Sequence, residues 1–171
     1  MENAIYLLKS SDKNKKAVSK SAYDFVGALA MKQLEINQEP RLCYESNGKP
    51  FFEDYPEFHF NISHSEDLIA VAVSRKPVGV DIEILRDVNL EIAGRFFSEK
   101  EIRFSKTSRD FLYVWTRKEA FLKRTGEGLK NISKADVLEN SDIKTFEENG
   151  FLLSVCSNEP DSFKIIYEEN F

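Results

Sequence analysis

A chain of 171 residues is long enough to bury a sizeable core, yet it is of ordinary size for one compact domain or two small fused halves. With 42% hydrophobic, 31% charged and 12% aromatic residues it has the composition of a folded protein and not of a disordered one. Its 24 Lys and Arg stand against 29 Asp and Glu, a formal net charge of −5, which excludes a general binder of nucleic-acid backbone and requires any phosphate site to be local.

The stretch from Met1 to Leu8 carries an early acid, Glu2, and only a short apolar run, so it reads as neither a signal peptide nor an anchor. No run of about 18 apolar residues occurs anywhere, and the expectation is a cytoplasmic protein that does not engage a membrane. Ala4 to Leu8 reads as a first strand and Ala17 to Ile36 as a helix introduced by Ser19 and Ser21. Lys9, Lys13, Lys15, Lys16 and Lys20 cluster around that junction, a run more usual in a solvated loop than at a ligand, with a phosphate contact as the alternative. Arg41 to Glu45 reads as a short strand before the turn Asn47-Gly48-Lys49-Pro50, where Asn-Gly favours positive φ. Phe58, Phe60 and Ile62 alternate with His59, Asn61 and Ser63, the period of a half-buried strand ending in Ser63-His64-Ser65, and Leu68 to Val73 follows as a central strand. Cys43 and Cys156 lack metal or redox spacing and are expected to be buried free thiols.

From Val78 to Ile84 the apolar residues Val78, Val80, Ile82 and Ile84 share one face, which places Gly79, Asp81 and Glu83 on the other. Ser98 to Glu101 has the spacing of a capping box, and Thr107 to Asp110 starts a longer helix running to about Arg124, closed by Gly126 and Gly128. Leu152, Val155 and Cys156, then Phe163, Ile165, Ile166 and Tyr167, read as two closing strands of an antiparallel sheet. A strand-helix-strand-strand order thus occurs twice, in halves 1–77 and 78–171 of an α+β chain, the second half carrying the paired acids.

Adjacent acids on one strand face repel unless a cation lies between them, so Asp81 and Glu83 suit a hard metal; the alternative is a solvated strand face. Glu119 and Lys123, four apart, have the spacing of an ordinary surface pair. However, Phe111, Val114, Trp115, Phe121 and Leu122 make that helix apolar over much of its circumference, which directs Glu119 into an interior cleft. As a third acid beside Asp81 and Glu83, with Lys123 offsetting the excess negative charge, it completes an oxygen cage for Mg²⁺ and a pyrophosphate. Ser63 and His64, at the end of a strand, are within reach of an anion or are merely exposed. No Gly-x-Ser-x-Gly motif supports a serine nucleophile.

Gly48-Lys49-Pro50, Phe60-Asn-Ile-Ser-His-Ser65, Val78-Gly-Val-Asp-Ile-Glu83, Phe96-Phe-Ser-Glu-Lys-Glu101 and Trp115-Thr-Arg-Lys-Glu-Ala-Phe-Leu-Lys123, in this order, resemble the signatures of the 4′-phosphopantetheinyl transferases, specifically the single-chain type that activates surfactin synthetase. The resemblance spans about Gly48 to Leu129. It implies transfer of the phosphopantetheine arm of coenzyme A to a serine of an apo acyl or peptidyl carrier protein, with release of adenosine 3′,5′-bisphosphate. It also implies two similar halves about a pseudo-twofold axis, coenzyme A in the cleft between them, and a monomer. By the same resemblance Asp81, Glu83 and Glu119 are Mg²⁺ ligands, Lys49, Ser63 and His64 contact coenzyme A phosphates, and Lys123 binds the pyrophosphate; on physical grounds Glu119, directly or through water, is the acceptor of the serine proton. Glu101 is a second-tier candidate, Lys118 is structural or peripheral, and Lys16 and Lys20 are candidates for the adenosine end. The pattern is broken at Glu66, where relatives often carry Gly. Two rivals share the site physics: a metal-dependent hydrolase of nucleotide pyrophosphates and a non-catalytic coenzyme A binding module.

Overall fold

The computed structural model describes residues 2–11, 14–128, 132, 136–148 and 150–168; Lys13 of the lysine run and Leu129 lie outside these. Strand β1 (Ala4–Lys9) leads into helix α1 (Lys15–Leu34). Helix α1 starts two residues before the expected Ala17 because Asn14, not a serine, caps it by accepting from the Lys16 N–H. The short strands β2 (Leu42–Tyr44) and β3 (Pro50–Phe52) pair around the expected turn, with Gly48 at φ 87°. Then come β4 (His59–Ser65), β5 (Leu68–Ser74) and β6 (Gly79–Ile84). Helices α2 (Ala93–Phe96), α3 (Glu99–Phe104) and α4 (Ser108–Thr125) precede β7 (Ile143–Glu148), β8 (Phe151–Cys156) and β9 (Lys164–Glu168). The expected capping box of Ser98 with Glu101 is formed, and the expected helix start at Thr107 to Asp110 is a second one.

Beside the two-stranded β2-β3 sheet, two larger sheets have the strand orders β4-β5-β1-β9 and β6-β8-β7. One face of the first buries Leu8, Ile69, Val71 and Val73 against Val18, Ala22 and Val26 of α1. Its other face presents Ile5, Leu7, Ala70 and Ala72 to Val80, Ile82, Leu153 and Val155 of the second sheet. The far side of that second sheet, through Leu152 and Cys156, is covered by Phe111, Leu112, Val114 and Ala120 of α4. The layers therefore run helix, sheet, sheet, helix, an α+β architecture driven by strands that are apolar on both faces. The unit β1-α1-β4-β5 has the spatial order first-third-second, and β6-α4-β7-β8 repeats it.

Two expectations are corrected. The partner of β8 is β7, and the segment Phe163 to Tyr167 does not close that sheet; as β9 it runs parallel to β1 in the other one. Strand β7 ends in Glu147 and Glu148 and lies at a sheet edge, so it lacks the apolar alternation that would reveal it. Cys156 is buried as expected, whereas Cys43, on the short two-stranded hairpin, is only partly buried.

The tight turn between β4 and β5 places Glu66 at φ 53°, in the left-handed region that favours Gly, which gives the departure from the family pattern a backbone meaning. Glu66→Gly is expected to relieve this conformation and raise stability by about 0.5 kcal/mol, the gain being limited by the greater freedom of Gly in the unfolded chain. The urea midpoint reads it, and a lower midpoint would show that the Glu66 side chain contributes more than its backbone costs.

Candidate active site

Strand β6 pairs with β8 along one edge; along the other, side chains of β4 do the work of a strand backbone. The Val80 N–H donates to Asn61 Oδ1 at 2.9 Å, Ile82 N–H to Ser63 Oγ at 3.4 Å and Ile84 N–H to Ser65 Oγ at 3.1 Å. Alternation on β4 makes this possible, since Phe60 and Ile62 turn into the core beneath α1 and Asn61, Ser63 and Ser65 turn the other way. The rung spacing fixes β6 in register against β4, and with it the positions of Asp81 and Glu83 between the rungs.

Asp81 is 5% exposed. Its Oδ1 accepts from Ser63 Oγ at 2.7 Å and from Lys123 Nζ at 2.7 Å, and Lys123 Nζ also reaches Ser63 Oγ at 3.0 Å. Its Oδ2 is buried without a hydrogen-bond partner. Burial pushes the Asp81 carboxyl above the usual range, opposed by Lys123 and Ser63 and reinforced by Glu83. Glu83 accepts from Ser65 Oγ at 3.3 Å and pairs with Arg86. Glu119, on α4, is pushed up to about 7, first by burial, then by the Asp81 charge and, to a smaller extent, Glu83, with Lys123 acting in the opposite sense.

The position of α4 depends on Gly79. A Cβ there would overlap the Ala120 carbonyl oxygen and lie 2.5 Å from the Arg124 amide nitrogen, both backbone atoms of α4 or its last turn. Gly79→Ala is expected to push α4 off β6, lower stability by about 2–3 kcal/mol, and displace Glu119 and Lys123 from Asp81. A thermal melt within a degree or two of the parent would show that the helix tolerates the shift.

A cavity of about 230 Å³ opens beside this cluster, lined by Gly48, Lys49, Asn61, Glu119, Lys123 and Gly126 among others. Lys49 Nζ donates to the Arg124 carbonyl at 2.8 Å, and burial lowers its pKa. Of the residues singled out from sequence, Asp81, Ser63 and Lys123 are joined by direct contacts, Glu83 is held separately by Ser65 and Arg86, and Lys49, Glu119 and Lys123 line the cavity. His64 is exposed on the opposite strand face from Ser63 and does not line it. Lys16 is exposed and Lys20 is paired with Asp24 at 2.6 Å; neither lines the cavity. Glu101 is fully buried away from it and pairs with Lys118 at 2.9 Å, so it is a structural residue, as is Lys118. Asn61, Ser65 and Arg86 were missed; the polar alternation Asn61-x-Ser63-x-Ser65 within an apolar strand was the available signal.

Among the described residues no group of three or more His, Cys, Asp and Glu is gathered in an arrangement that holds a metal ion. Asp81 is tied to Lys123 and Glu83 to Arg86, so each acid on β6 has its own cation. The donor chemistry nonetheless fits a hard divalent ion: Glu119 of α4 lies near enough to feel the Asp81 and Glu83 charges of β6, and one buried carboxylate oxygen has no partner.

A family model described as the 4′-phosphopantetheinyl transferase superfamily matches residues 77–168, from just before β6 to the end of β9. The chain is 32% identical over 160 residues to the 4′-phosphopantetheinyl transferase Sfp of Bacillus subtilis (strain 168), covering 80% of this chain and 71% of that protein. It is 44% identical over 108 residues to the 4′-phosphopantetheinyl transferase psf-1 of Bacillus pumilus, covering 60% of this chain but only 44% of that protein. It is 33% identical over 132 residues to the 4′-phosphopantetheinyl transferase AcpT of Salmonella typhi, covering 71% and 69%. The matched segments thus take in between 44% and 71% of these relatives' own lengths.

Proposed function

We propose, because this chain belongs to the 4′-phosphopantetheinyl transferase superfamily, that it transfers the 4′-phosphopantetheine group of coenzyme A to a serine hydroxyl of an apo acyl or peptidyl carrier protein. Asp81 carries the reading: a buried carboxylate with an unpartnered oxygen, held by Ser63 and Lys123 at the edge of a cavity that also presents Lys49 and Glu119. Asp81, Glu83 and Glu119 are the residues that would hold Mg²⁺. The ion, when bound, supplies Lewis-acid polarisation of the pyrophosphate.

The chain's own groups do the rest. Lys49 and Lys123 place positive charge along the cavity for the phosphates. Ser63 and His64 are the further contacts expected from the family motif, although His64 lies outside the cavity lining. Glu119, which lines the cavity, is the group that would accept the serine proton as the new oxygen–phosphorus bond forms. Lys123 offsets the charge that develops on the bridging oxygen as the pyrophosphate bond breaks and adenosine 3′,5′-bisphosphate leaves.

The repeated first-third-second strand order supports two similar halves divided near residue 77; a pseudo-twofold axis between them and a monomeric state belong to the same proposal. Among the described residues no helix is long and apolar enough to cross a membrane, and we place the enzyme in the cytoplasm.

The test is mass spectrometry of an apo carrier protein incubated with this chain, coenzyme A and Mg²⁺. The carrier gains the mass of one phosphopantetheine, and chelation of the metal abolishes the gain. A fatty-acid and a peptide-synthetase carrier run in parallel read the preference between them. Release of the bisphosphate nucleotide in the absence of any carrier would instead identify the pyrophosphate hydrolase.

A further inference from the structure

Both acids on β6 already hold a cation. Lys123 Nζ lies 2.7 Å from Asp81 Oδ1, and Arg86 pairs with Glu83. The acid side chains are only 8% and 17% exposed, so solvent screens the Asp81 pair weakly, and the Glu83 pair more because Arg86 is 48% exposed. Glu119 has no such ion pair among the described residues. On the metal reading above, we propose that Lys123 and Arg86 are resident counter-ions of the acid cluster, displaced from Asp81 and Glu83 when the divalent ion binds.

The reason is competition for the same oxygens. A Mg²⁺-sized ion takes its oxygen ligands at about 2.0–2.1 Å, and an ammonium or guanidinium on those carboxylates both occupies lone pairs and repels the arriving charge. Without resident cations, however, Asp81 would sit buried and charged beside Glu83, which is strongly disfavoured. The two basic groups therefore make the metal-free state tolerable and weaken metal binding by the same interaction. Lys123 also lines the cavity and is 27% exposed, so an ammonium released from Asp81 stays beside the place where phosphate is expected. Metal and coenzyme A then favour one another, because the anion gives Lys123 a new partner as the metal takes its old one.

Mn²⁺ is the probe, since loss of the free-ion electron paramagnetic resonance signal reads binding without turnover. With the full chain and no coenzyme A, Lys123→Met is expected to bind Mn²⁺ about tenfold tighter than the parent and Arg86→Ala about threefold tighter. Lys49→Met removes the same charge from the cavity wall but makes no ion pair with the three acids, its Nζ being held by the Arg124 carbonyl. Its Mn²⁺ affinity is expected to stay within about twofold. Coenzyme A is expected to tighten Mn²⁺ binding in the parent and not in Lys123→Met. Should Lys123→Met fail to fold, Arg86→Ala, at a half-exposed pair, decides alone. If the parent binds Mn²⁺ and neither variant binds it more tightly than Lys49→Met does, the counter-ion role is overturned while the metal reading stands. If the parent takes up no Mn²⁺ at millimolar concentration even with coenzyme A, both are overturned.

Discussion

Lys118→Met is expected to lower stability by about 3–5 kcal/mol, because it leaves Glu101 charged and alone in the core. Both side chains are 0% exposed, and their contact at 2.9 Å joins α4 to α3. Each partner has further work. Lys118 Nζ donates to the Ile132 carbonyl at 2.8 Å and lies 5.9 Å from the centre of the Phe97 ring. Glu101 accepts from the Ser98 N–H at 2.7 Å and from the Val137 N–H at 3.3 Å. The pair thus ties the capping box of α3 to the segment that follows α4. Removing the second charge as well, in Lys118→Met with Glu101→Gln, is expected to recover at least half of the loss, since the desolvated charge is then gone. Urea unfolding of the two variants decides it. A single variant within about 1 kcal/mol of the parent would show that Glu101 finds water or another cation.

Local contacts and long-range contacts were not equally open to sequence reasoning. Capping boxes at Ser98 and Thr107 were legible because a cap is a contact between residues three apart, and Gly126 at φ 74° ends α4 where a Gly after a helical run is expected to. The face of Asp81 and Glu83 was legible because a strand alternates with period two and Val80 and Ile82 had to face the sheet-to-sheet core. What joins Asp81 to Ser63 and Lys123 spans 18 and 42 residues, and no local period encodes such a contact. The same holds for Lys118 with Glu101, which from spacing alone reads as a peripheral lysine and a capping acid. Strand β9 shows the limit on topology. Its alternation identifies a strand, but whether it adds to β8 or crosses to β1 depends on which edge is free once both sheets exist. The motif order selected the residues; the side-chain rungs of Asn61, Ser63 and Ser65 explain how they are held.

Glu119→Gln is expected to reduce carrier modification by about 10²–10⁴-fold, the range for losing a positioned proton acceptor, and more if a metal ligand is lost with it. The same change is expected to stabilise the metal-free protein at alkaline pH, which separates a functional role from a structural one. In the folded chain Glu119 titrates at about 7 against an ordinary value of 4.5, chiefly because of burial and then because of the Asp81 charge. Between those values the folded state binds the proton more readily than the unfolded one, so stability falls as pH rises from about 4.5 to about 7 and the deficit is complete above that. Gln resembles the protonated acid and escapes the deficit. At pH 8 the variant is therefore expected to exceed the metal-free parent by about 1–2 kcal/mol, allowing for screening of a partly exposed side chain, and near pH 4 the two are expected to coincide. Mg²⁺ is expected to narrow the gap at pH 8 by stabilising the parent more than the variant. Thermal melts at both pH values, with and without Mg²⁺, and mass spectrometry of the carrier measure the two halves of the expectation. Near-normal transfer by the variant would remove Glu119 from the site, whereas lost transfer without added stability at pH 8 would mean that Glu119 is already compensated in the metal-free fold.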